Sequence, residues 1–274
     1  MILRIEDIDA SRVRPEATAN AIADLKWLGF DWDEGPILQS SRLAIYDMAI
    51  ERLKSREAVY PCTCTRAEIA RASSAPHAED EGPAYPGTCA GRSVADATGL
   101  TMPYCWRFRV PSREIVWEDL IAGRITFTSS QMGGDFIVGR SQGQPSYQLA
   151  VVCDDAMMGV SQVVRGDDLI PSTPRQILLY ESLDWQPPEF GHIALVHDSE
   201  GHRLAKRDGA IKIATFREQG VSSNLLIGML AKSLGMTERV VTSTPHDWLR
   251  AFQFETIPKS PWMLPHEITP WPIP

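Results

Sequence analysis

No apolar run in the 274-residue chain approaches the ~20 residues that a membrane-spanning helix needs, so no membrane partner is expected. No secretory leader is expected, since Met1-Ile2-Leu3 meets charge at Arg4, Glu6 and Asp7. The chain reads as cytoplasmic. Positive charge is in deficit, with 27 lysines and arginines against 35 acids and a net charge of −8. That balance argues against a surface coated with nucleic acid and confines any RNA contact to a local patch. Cysteine is sparse: five residues, an odd count, do not suggest a disulfide framework in a chain expected not to be secreted. Near its start the sequence has no glycine-rich loop, although a nucleotide-binding α/β fold usually opens with a strand and a phosphate-binding helix.

What is present suits a globular protein of one or two domains, 43% hydrophobic and 23% charged. Residues 1–9 alternate crudely and read as a strand. Residues 15–28 form a helix, with Pro15 in its first turn, Ala17, Ala21, Leu25 and Leu28 on one face, and Gly29 as stop. After a loop at 30–33, residues 41–56 make a second helix on Leu43, Tyr46, Ile50 and Leu53. Strands are expected at 104–110, 115–127 and 136–138, with turns at Gly123, Gly133-Gly134 and 141–143.

The richest stretch is 144–176. Its two apolar runs, 149–153 and 162–164, end in charge at Asp154-Asp155 and at Arg165-Gly166-Asp167-Asp168. Unbroken apolar runs suit strands of a parallel sheet covered on both faces, whose carboxyl ends collect ligands. Tyr147 and Arg165 would flank that edge, and a Pro-initiated helix follows at 174–183. A further strand is expected at 192–196, with His192 and His197 structural or exposed, and a helix at 225–234 stopped by Gly235.

Cys62-Thr63-Cys64 precedes Thr65-x-x-Glu68, a capping box that should open a short helix. A Ser-, Pro- and acid-rich loop then returns to Tyr85 and Cys89. Three thiols offer zinc three ligands, with Tyr85 or His77 as a fourth; three unrelated reduced thiols are the alternative. Cys105 and Cys153 lie in apolar runs and read as buried thiols. A glycine-flanked basic loop at 198–209 either reaches a polyphosphate or is simply solvated.

Tyr147 with Leu-Ala-Val-Val, Asp154-Asp155 and Arg165-Gly166-x-Asp168 resemble the catalytic core of glutamyl-tRNA synthetases. The likeness is closer to their short relatives, the glutamyl-queuosine tRNA(Asp) synthetases. It implies an α/β fold with a class I aminoacyl-tRNA synthetase Rossmann-type parallel sheet, split by a zinc-binding acceptor-type insertion. A short helical C-terminal part and no anticodon-binding domain complete the expectation. The catalytic domain would occupy 1–56 and 145–220, the insertion 57–144, and the helical segment and tail 221–274. Arg-Ile-Glu-Asp at 4–7 matches the family's second strand, so the resemblance implies that an ATP-binding first strand and its His-Ile-Gly-His-type motif are missing from this sequence: either Met1 is a misassigned start or the product lacks part of its ATP site.

The same resemblance implies zinc on Cys62, Cys64, Tyr85 and Cys89, and glutamate bound by Glu6, Tyr147 and Arg165. The loop Arg203, Leu204, Ala205, Lys206 and Arg207 matches a Lys-Met-Ser-Lys-Ser motif that clamps ATP, with Lys206 as its catalytic lysine. Arg203 and Ala205 replace that motif's first lysine and its serine. Arg107, Arg109, Arg124 and Arg140 become candidate phosphate contacts for tRNA, with exposed strand charges as the alternative. The implied partners are ATP with Mg2+, L-glutamate and tRNA(Asp) carrying queuosine, on a monomeric enzyme. The rivals are a fragment charging tRNA(Glu) and a non-catalytic, zinc-stabilised RNA-binding relative.

Overall fold

The computed structural model describes residues 1–8, 16–72, 84–140, 143–198, 200–201 and 213–263. Strand β1 (Ile2–Ile5) is followed by helix α1 (Ala17–Trp27) and strand β2 (Glu34–Leu38), which the sequence reading did not anticipate. The two strands pair in parallel, with Arg4 opposite Ile37, and α1 supplies the crossover that parallel strands require. The helix ends at Gly29, whose φ of 86° suits glycine alone. A 3-10 turn then leads into α2 (Leu43–Ser55), which buries Tyr46, Ala49, Ile50 and Leu53 at helical spacing.

Strand β3 (Val59–Cys62) and helix α3 (Arg66–Ala72) follow. The capping box forms as read: Thr65 N–H donates to Glu68 Oε2 at 2.7 Å, and Glu68 N–H to Thr65 Oγ1 at 3.2 Å. Next come β4 (Cys105–Phe108), β5 (Ile115–Asp119), β6 (Gly123–Phe127) and β7 (Phe136–Arg140). Strands β3, β4 and β7 make an antiparallel sheet, while β5 and β6 form a hairpin closed at Gly123.

Residues 149–153 are not a strand. They lie in helix α4 (Tyr147–Met157), whose N-cap Ser146 accepts the Leu149 N–H at 3.3 Å. Seven consecutive residues of this helix, Leu149 to Asp155, are buried, because α4 contacts α2 and, C-terminal to it, helix α5 (Thr173–Ser182). A helix enclosed on all sides is apolar all round, and a five-residue window cannot separate it from a covered strand.

Strand β8 (Gln162–Gly166) runs as expected, followed by α5 (Thr173–Ser182) and β9 (Glu189–Ile193). These strands are parallel, and β5 joins β9 with Asp119 opposite Phe190, giving a sheet ordered β6-β5-β9-β8. The hairpin is thereby built onto the sheet that carries Arg165. The remaining elements are β10 (Val196–His197), α6 (Ile213–Glu218), α7 (Ser223–Ser233) and β11 (Trp262–Met263), β10 and β11 being parallel. One core runs from α2, α4 and α5 into the antiparallel sheet, joining Leu53, Leu149, Leu178 and Leu179 to Trp106, Phe108 and Phe136.

Candidate functional site

Glu6, just past β1, and Tyr147, at the start of α4, face one cleft of ≈ 480 Å³ that Gln39, Arg66, Arg140 and Gln144 also line. Arg4 anchors this side. Its Nη1 donates to Asp155 Oδ1 at 2.6 Å and its Nη2 to Glu6 Oε1 at 3.2 Å. Burial raises the Asp155 carboxyl above its ordinary pKa although Arg4 pulls it down. Its neighbour Asp154 is fully buried and accepts from Gln39, Arg42 and Tyr46. The acidic pair therefore ties α4 to β1 and α2 and is no solvated rim.

Arg165 projects from β8 toward Tyr147. Burial lifts the phenol's pKa, Glu6 adds to the rise and Arg165 opposes it, so Tyr147 stands within electrostatic reach of both charges. The guanidinium is built in tightly. Its Nε donates to His192 Nε2 at 3.1 Å, Nη1 to Gln176 Oε1 at 2.9 Å, and Nη2 to Thr173 Oγ1 at 2.8 Å and to Leu169 O at 3.4 Å. The Phe190 ring closes one face at 5.3 Å. Most of the guanidinium's five N–H donors are thus held by protein acceptors, which fixes its plane. Behind it, His192 Nδ1 lies 2.5 Å from Asp119 Oδ2. Sequence reasoning missed Asp119, Thr173, Gln176 and His192; only Gln176 and Thr173, within a dozen positions of Arg165, offered even a local cue.

The second constellation sits where β3 runs into α3. The sulfurs of Cys62, Cys64 and Cys89 lie within 4.8 Å of one another, with Cys64 and Cys89 3.6 Å apart. Tyr85 Oη stands 3.4 Å from Cys62 Sγ and accepts the Cys89 N–H at 2.8 Å. Zinc bound tetrahedrally places two thiolates about 3.8 Å apart and an oxygen about 3.5 Å from a sulfur, so this donor set fits the ion. Hydrogen bonds from Cys105, Tyr85 and Arg107 hold the Cys62 thiol far below its usual range, while burial raises that of Cys64.

Two of the four arginines read as phosphate contacts are corrected. Arg107 is only 5% exposed and donates to Cys62 Sγ and Asp135 O. Arg109 donates to the carbonyls of Glu57, Ala90 and Arg92 and packs over the Tyr60 ring. Arg107 on β4 and Arg109 just past its end both make contacts within the protein. Arg124 is exposed beside Glu118, and Arg140 bonds Gln144 at the mouth of the cleft. Arg203, Leu204, Ala205, Lys206 and Arg207, like His77, lie outside the described residues. Among the described residues, no helix is long and apolar enough to cross a membrane.

The family described as tRNA synthetases class I (E and Q), catalytic domain, matches residues 1–267. The chain is 46% identical to the glutamyl-Q tRNA(Asp) synthetase of Symbiobacterium thermophilum, over 97% of this chain and 86% of that protein. It is 39% identical to the glutamate–tRNA ligase of Coprothermobacter proteolyticus, over 84% of this chain but 50% of the ligase. A crystal structure of glutamate-tRNA synthetase from Elizabethkingia anophelis superposes with a TM-score of 0.80 at 26% identity, covering 97% of this chain. The chain spans 61% of that structure's length. By sequence match and by fold, the chain belongs to the class I tRNA synthetase family for glutamate and glutamine, as its catalytic domain.

Proposed function

We propose that the chain activates L-glutamate with ATP and transfers the glutamyl group to the queuosine base at the wobble position of tRNA(Asp). The observation that carries the amino-acid half is the pair Glu6 and Tyr147 lining one cleft, with the Arg165 cation acting electrostatically on the same phenol. Glu6 complements the α-ammonium of glutamate. Arg165, with the Tyr147 hydroxyl, meets the side-chain carboxylate. The tRNA half is supported by the relatives named glutamyl-Q tRNA(Asp) synthetase, which match over most of both chains.

In the first step, the glutamate α-carboxylate attacks the α-phosphorus of ATP, forming glutamyl-adenylate and releasing pyrophosphate. A ring hydroxyl of queuosine then attacks the glutamyl carbonyl and AMP leaves. The protein's part is positioning and charge stabilisation. Lys206, within the loop 203–207, is assigned to the phosphates of ATP, which arrive with Mg2+. Zinc, held by Cys62, Cys64, Tyr85 and Cys89, serves a structural role, pinning the end of β3 to the segment returning at Tyr85.

Glutamate-dependent exchange of pyrophosphate into ATP without tRNA, followed by transfer of labelled glutamate to queuosine-containing tRNA(Asp), tests this reading. Exchange and transfer to that tRNA, with none to tRNA(Glu), is expected. Charging of tRNA(Glu) would favour the second reading, which the glutamate–tRNA ligase relatives support. Failure to bind either ATP or glutamate would leave a non-catalytic RNA-binding protein.

A further inference from the structure

Asp119 and His192 are far apart in sequence but adjacent on β5 and β9, and both side chains are fully buried. Three backbone N–H groups, those of Ile121, Ala122 and His192, converge on Asp119 Oδ1 at 3.1, 2.9 and 3.1 Å. Such a nest of donors keeps the carboxylate ionised, so Oδ2 acts as an acceptor toward His192 Nδ1 at 2.5 Å. The ring proton therefore resides on Nδ1. Nε2 is left as a lone pair, the state that Arg165 Nε, always a donor, demands at 3.1 Å; the Thr173 hydroxyl stands 3.2 Å from the same nitrogen. Hydrogen-bond roles along the line Asp119, His192, Arg165 are thus fixed from one end.

We propose that Asp119 and His192 form a positioning dyad for Arg165, fixing the imidazole tautomer so that Nε2 holds the guanidinium in the plane that meets the substrate carboxylate beside Tyr147. This rests on the reading that Arg165 binds glutamate. The dyad acts through Arg165 and has no contact with the reacting atoms. Thr173 and Gln176 hold the two terminal nitrogens, so loss of the dyad leaves Arg165 in place but free to tilt about that pair of anchors. Because β5 belongs to the hairpin joined edge-on to β9, this hairpin also contributes to the shape of the amino-acid site.

Asp119→Asn makes the test with almost no change of volume. The three backbone donors keep the remaining oxygen at Oδ1, which turns the new NH2 toward Nδ1. The imidazole must then accept at Nδ1 and carry its proton on Nε2, facing the Arg165 N–H with another donor. In pyrophosphate exchange, the KM for glutamate is expected to rise about tenfold to a hundredfold, the loss of one charge-assisted hydrogen bond, with the KM for ATP nearly unchanged. Nitrogen-15 shifts of the His192 ring should report a proton on Nδ1 in the natural protein and on Nε2 in the variant. A switched tautomer with unaltered glutamate KM, in a protein where Arg165→Lys does raise it, would overturn the dyad. An unaltered KM in Arg165→Lys itself would instead overturn the glutamate reading, and with it the purpose assigned here. If Asp119→Asn does not fold, His192→Gln and His192→Phe carry the comparison: Gln retains an acceptor and should lie closer to the natural enzyme than Phe. Equal glutamate KM values for the two would count against the proposal.

Discussion

Arg107 Nε lies 3.2 Å from Cys62 Sγ, and the same guanidinium sits 3.8 Å from the centroid of the Tyr85 ring. A cation this deeply buried needs an anionic partner. Zinc bound to the three thiolates of Cys62, Cys64 and Cys89 would leave a net negative charge, which Arg107 would offset from outside the ligand set. Arg107→Met, similar in length but neutral, should weaken zinc binding about tenfold to a hundredfold, the usual effect of losing a group that supports the ligands. Competition against a chromogenic chelator measures this. Unchanged affinity would reduce Arg107 to a packing residue.

Arg107 also shows where sequence reading stops. Alternating charge on 104–110 marked a strand correctly, yet alternation says only that side chains point to opposite faces, not which face is wet. The cysteine spacing was more informative, because tetrahedral coordination restricts both residue type and separation; Cys62, Cys64 and Cys89 converge with Tyr85 as the motif implied. Residues 149–153 misled for a physical reason. Val151 and Val152 favour strands, and the signal that decides for helix is the Ser146 cap together with enclosure by α2 and α5, a tertiary fact. His192 read as structural or exposed because its partners, Asp119 and Arg165, lie 73 and 27 positions away.

Substituting Arg165 by lysine keeps the charge and removes the planar fork. A lysine ammonium has three donors on one atom and cannot reach His192, Gln176 and Thr173 together while meeting a ligand. The glutamate KM in pyrophosphate exchange should rise by about tenfold or more, with the ATP KM little altered. Tyr147→Phe, which deletes one neutral hydroxyl contact, should have the smaller effect, about tenfold or less. A lysine variant with the natural glutamate KM would remove Arg165 from the binding site.

Asp154 tests the frame beneath the cleft. Its carboxylate is fully buried, with Arg42 Nε at 2.7 Å and Gln39 Nε2 and Tyr46 Oη both at 2.8 Å. Asp154→Ala would strand all three donors, and losing one side of such a network costs about 3–5 kcal/mol. Urea unfolding should show the midpoint falling accordingly. Gln39 lines the cleft as well, so glutamate binding should weaken in the surviving folded protein. A loss under about 1 kcal/mol would mean that water replaces the carboxylate at little cost.

His192 makes the fold sensitive to pH in a definite direction. Burial pushes the imidazole below its ordinary pKa, the Asp119 contact opposes this, and Arg165 adds to the fall. The charged groups facing it are Asp119 from β5, Arg165 from β8 and, farther off, Asp167. Below about pH 6.5 the unfolded chain takes up a proton at this position that the folded chain refuses. The unfolded state then binds more protons, and stability falls as pH drops from that value toward the folded pKa. Asp119 behaves differently. Burial would raise its carboxyl, but the N–H groups of Ala122, Ile121 and His192, with the His192 ring, hold it below its usual range. Its contribution is therefore present above about pH 3.9 and lost only as pH falls through the lower folded value. Urea unfolding of the natural protein and of His192→Gln at successive pH values separates the two. The glutamine variant lacks the first transition, so the stability difference between the proteins should be constant above about pH 6.5 and shift against the natural protein below it. A difference that stayed constant through pH 5 would mean that the folded imidazole accepts its proton as readily as the unfolded one, and the neutral ring inferred beside Arg165 would be wrong.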